Sequence, residues 1–405
     1  MKQSKRKKEF KSEFSYNRLW KMLIDRNMKK GELQEISDVS AASIAKMGRC
    51  ENVTTDVLLR ICEALDCNIE DIMERIPLQQ DKEKNAEKEG GSPVEKLIDI
   101  SSYPVAQVLD VLLQDKTTKK NIIWATDTYA EFGEEFTDKV QLDANAILRR
   151  TDLIRPRIQK SQEAQAQRTR KKAEVFTPAW LCNQMNNHCD EDWFGRSGVF
   201  NTENADHTWT VSEGKIEFPK KKKWQHYVDS RRLEITCGEA PYLVSRYDVS
   251  TGELIVPPVR RIGMLDRKLR IVNENTEDYD DWLKWTLRAF EACYGYEYQG
   301  DNVLIARINL LLTFTDYYEE RWERRPDDKL LRQMANKIAW NIWQMDGLKD
   351  TVPLGKPYEE FRQITLFDMF GDMGDEKDDE PEAVPCRIFD WRSKNSILFK
   401  KLKEM

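Results

Sequence analysis

The chain has 405 residues, room for two or three domains and a sizeable core, and its 40% hydrophobic and 34% charged residues describe a globular rather than a disordered polymer. No run of about 18 uncharged apolar residues exists, and the basic N-terminus lacks an apolar signal segment, so the sequence predicts a cytoplasmic protein with no membrane span. A net charge of −6 excludes a uniformly basic coat, yet the charge is segregated into basic clusters at 2–11, 155–172 and 220–223 and an acidic run at 372–382; local basic patches bind phosphate despite a negative total.

Residues 1–13 read as a basic tail. From residue 16 the apolar spacing predicts five short helices, over 16–27, 31–36, 41–47, 55–65 and 69–76, with Ser40 capping the third, Thr54 or Thr55 the fourth, and Pro77 ending the run. Leu33, Val39, Ser40, Ile44, Leu58 and the Ile61-Cys62-Glu63-Ala64-Leu65 helix resemble the Cro/phage-repressor type of helix-turn-helix, an all-α domain placed at 14–78. The resemblance implies double-stranded DNA as partner and a third helix in the major groove, with Ala41, Ala42, Ser43, Lys46 and Met47 as the exposed or groove-edge set. Ser40, Ala42 and Ser43 are small or hydroxylated enough to approach bases, Lys46 and Arg49 suit phosphate, and Asn52 with Thr55 can reach the backbone. The alternative is a protein-interaction domain that no longer binds DNA.

A linker is expected at 79–93, then one large domain at 94–405 interrupted by an acidic linker at 371–383. Its first part shows an apolar period over 94–113, a strand or strand edge at 121–126, and a basic helix or arm at 155–172, without a derivable fold. Phe176-Thr177-Pro178 precedes an amphipathic helix. Trp209, Trp224 and Tyr227 lie in a Lys-rich insertion, either a packed excursion or a surface that stacks bases. Leu233-Glu234-Ile235-Thr236-Cys237-Gly238-Glu239-Ala240-Pro241-Tyr242-Leu243 reads as a buried strand, a tight turn and the start of a helix, the way an α/β sheet presents a cofactor at its carboxyl edge. A predicted helix at 282–292 leads to a strand at 293–298 that carries an acid near its end, and a helix follows from 301. A strand ending in Asp346-Gly347-Leu348 comes last.

These four blocks, in this order, resemble motifs X, I, II and III of the N6-adenine DNA methyltransferases of restriction-modification systems. The resemblance implies a class I, Rossmann-like α/β domain that binds S-adenosylmethionine (SAM). It assigns Phe176, Thr177 and Pro178 to the methionine end, Glu234, Thr236, Cys237, Gly238 and Ala240 to the cofactor turn, Glu297 to the ribose (Gln299 or Asp301 as substitutes, Asp301 being the one more readily read as a surface acid), and Asp346 to the adenine. Two positions depart from the pattern: Ile235 replaces a proline and Ala240 a glycine. The family's catalytic Asn-Pro-Pro-Tyr block is missing; Pro257-Pro258-Val259 and Gly355-Lys356-Pro357-Tyr358 do not replace it, since Lys356 cannot accept a hydrogen bond. No catalytic residue is expected, and eight scattered cysteines with His188, His207 and His226 lack metal-ligand spacing.

The sequence therefore supports three readings. The chain is a DNA-binding regulator or component of a restriction-modification or phage defence or counter-defence system, inactive as a methyltransferase by itself and acting as a homodimer or with a partner subunit that carries the missing motif. Alternatively it is the cofactor half of a split N6-adenine methyltransferase, or a methyltransferase fold reused as a protein-binding scaffold.

Overall fold

A computed structural model describes residues 12–26, 28–48, 52–77, 97–160, 177–356 and 382–403. The chain divides into two compact units, Met1–Glu95 and Lys96–Met405. The expected linker at 79–93, most of the basic tail and most of the acidic linker at 371–383 lie outside the described residues.

The first unit runs β1 (Ser12–Ser15), α1 (Asn17–Asp25), α2 (Lys30–Ser37), α3 (Ala41–Gly48), α4 (Thr55–Leu65), α5 (Ile69–Ile72) and β2 (Glu74–Pro77). Its apolar residues fall at helical spacing on inward faces, so Leu19, Leu33, Met47, Ile61, Leu65 and Ile72 close one small core; full burial of each such side chain is worth about 1.5–3 kcal/mol. Asp38 and Asp66 end α2 and α4 in left-handed backbone, φ 51° and 48°, which turns the chain sharply enough to bring the next helix back. The all-α expectation needs correction. The fifth helix stops at Ile72 instead of 76, and β1 pairs antiparallel with β2, Ser12 opposite Pro77, so residues 12 and 13 belong to a strand and not to a tail.

The second unit begins with α6 (Val105–Leu112) and α7 (Ala144–Arg149). Then come α8 (Ala179–Phe194), the hairpin β3 (Asn201–Glu203) and β4 (Trp209–Val211), α9 (Trp224–Val228), β5 (Arg232–Glu234), α10 (Met264–Asn275) and α11 (Tyr279–Glu291). After these come β6 (Cys293–Glu297), α12 (Gly300–Trp322), α13 (Asp328–Asn341), β7 (Ile342–Gln344), β8 (Arg387–Asp390), β9 (Asn395–Leu398) and α14 (Lys400–Lys403). β5, β6 and β7 form a parallel sheet in that order, each step crossed by a helix pair. All five residues of β6 are buried, as expected of a central parallel strand covered on both faces. Helices pack one face; the antiparallel β8–β9 hairpin packs the other, with Cys386, Ile388 and Phe399 against Tyr294, Tyr296, Trp343 and Met345.

Arg307, fully buried in α12, ties the layers together. Its guanidinium donates to the carbonyls of Ile342 (2.8 Å), Gln114 (3.0 Å) and Ala339 (3.2 Å), and burial lowers its pKa to about 10. One expectation fails nearby, and one alternative is decided. Residues 121–126 form no strand but isolated bridges, because Ile123 spends its amide and carbonyl on the Gln344 side chain. In the insertion, the packed alternative holds at Tyr227, which is buried and donates to Asp190 (2.7 Å).

Candidate functional site

In the first unit the residues expected at DNA sit on and around α3. Ser40 caps it, its Oγ accepting from the Ser43 amide (3.2 Å) and lying 3.0 Å from the Ser43 hydroxyl. Ser40, Ala41, Ala42, Lys46 and Asn52 are exposed and Ser43 is half-buried. The structure thus presents a shallow, small-residue ridge with one ammonium at its C-terminal turn. Met47 is corrected: it is fully buried in the core and cannot line a groove. Arg49 lies outside the described residues. Among the described residues of this unit, Arg60 is committed to Asp38 and Asp56 and Arg26 to the Leu65 carbonyl.

In the second unit, the carboxyl tips of β5 and β6 bring together most of the residues assigned to a cofactor. Glu234 ends β5, buried, and its two oxygens accept from the amides of Tyr242 (3.3 Å) and Leu243 (3.1 Å). Burial pushes this carboxyl up to about 8, with Glu297 adding in the same direction. The turn between has left-handed φ at Thr236 (46°), Gly238 (53°) and Ala240 (65°). Ala240 therefore stands in backbone that favours glycine, at a cost of roughly 1 kcal/mol. Cys237 is buried beneath the turn, and burial raises its thiol pKa. Glu297, at the tip of β6, accepts from Gly238 (2.9 Å), Tyr298 (2.9 Å) and Gln299 (3.2 Å), so its carboxylate clamps one strand tip to the neighbouring turn.

The helix expected to start after the turn does not develop: a single turn forms, with Leu243 and Val244 donating to the Ala240 carbonyl (3.1 and 2.9 Å), and the next α-helix begins at Met264. Leu233 and Ile235, expected to be buried, are 47% and 63% exposed. Thr177 and Pro178 precede α8 as expected, the Thr177 carbonyl accepting from the Cys182 thiol (3.5 Å), while Phe176 lies outside the described residues. Asp346 lies beyond β7, its Oδ1 accepting from Leu348 (3.0 Å) and Lys349 (3.2 Å), the job of a turn aspartate. Asp301 is not a surface acid. It is fully buried, 2.9 Å from Lys160 and accepting from Tyr129 (2.6 Å).

Sequence reasoning missed several groups at this edge. Gly300 is one: a Cβ there would lie 2.0 Å from the Ile123 carbonyl, so only glycine lets that segment cross the start of α12. Asn309 reaches back from α12 to the Glu239 carbonyl (3.0 Å) and Tyr247 (3.1 Å). Gln299, which the sequence did offer as a substitute for Glu297, is buried and its Oε1 has no hydrogen-bond partner. These contacts join residues more than 60 positions apart, beyond any local pattern.

Residues 18–77 match the family model of the Cro/C1-type HTH DNA-binding domain. Among solved structures, the crystal structure of the transcriptional regulator VanUg (form II) matches at 49% identity, over 18% of this chain and 100% of that chain, with a TM-score of 0.18. No curated protein matches the chain. No described helix is long and apolar enough to cross a membrane.

Proposed function

Starting from a Cro/C1-type helix-turn-helix DNA-binding domain over residues 18–77, we propose that the protein is a double-stranded-DNA-binding regulator, or a component of a restriction-modification or phage defence or counter-defence system. Its second unit is then a Rossmann-like, SAM-binding half of an adenine-methyltransferase fold, inactive by itself. What carries the reading of the second unit is convergence: three parallel strands in the order β5-β6-β7, with Glu234, Gly238 and Glu297 meeting at their carboxyl tips, where open α/β sheets take ligands.

The residues fit the cofactor in two respects. The Gln299 Oε1 is a buried acceptor with no donor, two residues past Glu297, and both side chains offer the acceptors that ribose hydroxyls need. The turn keeps the left-handed backbone of a glycine-rich cofactor loop at 238 and 240. Glu297 and Gln299 would hold the ribose, the turn with Thr177 and Pro178 the methionine end. Asp346, which would meet the adenine, and Glu297 each already accept from backbone amides, so each would share its carboxylate with the cofactor. When bound, SAM supplies an electrophilic methyl group; this chain's residues bind and orient it.

A second reading, the cofactor half of a split N6-adenine methyltransferase, is favoured by the outer edge of β5, which no described strand pairs. To test the proposal, the full chain is titrated with SAM and its demethylated product in a calorimeter. Micromolar binding that Gln299→Leu weakens supports it. A flat isotherm returns the second unit to the role of a protein-binding scaffold.

A further inference from the structure

Residues 220–223 are four consecutive lysines in a chain of net charge −6. All four are exposed, and among the described residues none of them pairs with a carboxylate. Like charges so close together repel, and a loose loop relieves this by spreading into water. Here the backbone beneath them is fixed. The Lys222 amide donates to the Pro219 carbonyl (2.8 Å), closing a β-turn, and the Lys223 amide donates to His226 Nδ1 (3.2 Å) at the start of α9. The Lys222 ammonium is tied down, lying 4.3 Å over the Trp193 ring and donating to the Trp193 carbonyl. Trp193 packs edge-on against Phe218 and Tyr227, and Trp224 against Trp285. These rings form a pedestal from which Lys220, Lys221 and Lys223 stand out unpaired.

α8 fixes where this turn lies. The Asn186 side chain donates to the Tyr242 carbonyl (3.0 Å), past the carboxyl tip of β5, whereas Asp190, one turn later, stands 3.9 Å from Arg232, the first residue of β5. α8 therefore runs antiparallel to β5, and Trp193 near its end carries the lysine turn to the edge of the sheet away from Glu297.

We infer that this turn gives the second unit a sequence-independent grip on the phosphate backbone of duplex DNA. Phosphates recur regularly along each strand whatever the bases, which suits successive ammoniums on a rigid turn, and each contact releases a counterion. An acidic protein segment is the other polyanion such a turn could take. DNA is favoured because the same chain carries a Cro/C1-type domain, and a second grip joined covalently to a first raises affinity even when weak by itself. This rests on the DNA-binding reading of the first unit and on nothing about the cofactor.

The probe is a fluorescently labelled duplex of about thirty scrambled base pairs, titrated with the full chain at a series of salt concentrations and read by anisotropy. At about 0.9 per phosphate contact, Lys220→Gln, Lys221→Gln and Lys223→Gln together lower the slope of log affinity against log salt by about two to three. The melting temperature holds, since all three side chains are exposed. The same three positions changed to Arg keep the slope. Lys120→Gln, Lys139→Gln and Lys329→Gln, also exposed, make an equal change in net charge elsewhere and leave the slope nearly unaltered. Equal slopes in the two glutamine triples overturn the inference. So does a labelled dodecaglutamate peptide whose affinity depends on Lys220, Lys221 and Lys223 when that of the duplex does not, which assigns the turn to an acidic protein partner. Lys46→Ala reads the first unit alone: slope lost there but not in the lysine triple leaves the DNA-binding reading standing while the second grip fails.

Discussion

Glu234→Gln isolates one charge at the centre of the strand-tip turn. The carboxyl sits at about 8 in the folded chain against an ordinary 4.5, because it is buried. Between these values the folded chain keeps a proton that the unfolded chain releases, so stability is fully present below pH 4.5 and is lost as pH rises to 8. At 1.36 kcal/mol per unit, the loss from this group approaches about 4–5 kcal/mol across the window. Glutamine has the same shape, is neutral and cannot ionise, but its Nε2 replaces one of the two oxygens that accept the Tyr242 and Leu243 amides, so the variant forfeits one hydrogen bond, about 1 kcal/mol, at every pH. Urea unfolding of both proteins from pH 4.5 to 8.5 should give curves that cross, the variant the less stable at the acid end by its lost hydrogen bond and the more stable by several kcal/mol at the alkaline end. Asp266, also raised by burial, to about 6, contributes equally to both and cancels. Parallel curves, offset by a constant amount, would refute the reasoning.

Three further outcomes follow from the same geometry. Lys46→Ala should weaken DNA binding about equally across sequences and flatten the plot of log affinity against log salt by about one unit; an unchanged slope removes α3 from the phosphate backbone. Met47→Ala should instead destabilise the first unit by about 2–5 kcal/mol, visible as a lower melting temperature with the salt slope intact. Glu297→Ala removes the acceptor of three amides and the ribose candidate together. SAM affinity should fall by about 1.5–3 kcal/mol in calorimetry, and equal affinity in the variant would put any cofactor elsewhere.

The helices of the first unit were legible because apolar spacing and the Ser40 cap are local signals. The β1–β2 pair was not, since strands of four residues about 60 positions apart leave no period in either segment. In the second unit the strand at 293–297 and the long helix after it announced themselves by continuous burial-grade sequence. The turn after β5 misled because Pro241 and Tyr242 do open one helical turn, which ends at once where the Ser245 amide goes to Asp266, 21 positions away. Asp301 misled for the opposite reason: its partners Lys160 and Tyr129 are 141 and 172 positions away, so nothing near it in sequence betrayed a buried acid. Glu297 could be named from its position at a strand end, but its clamp on Gly238 needed the parallel pairing of β5 with β6 to come into view.

The β8–β9 hairpin also sets an order of events in time. Tyr294, Tyr296 and Trp343 lose their water only when Cys386, Ile388 and Phe399 arrive, residues made at the very end of the chain described here. During synthesis the sheet therefore emerges from the ribosome with one aromatic face bare, and it stays bare until the last hairpin is released. Nascent chains stalled before residue 386 should be the species that chaperones hold and that aggregate when chaperones are scarce.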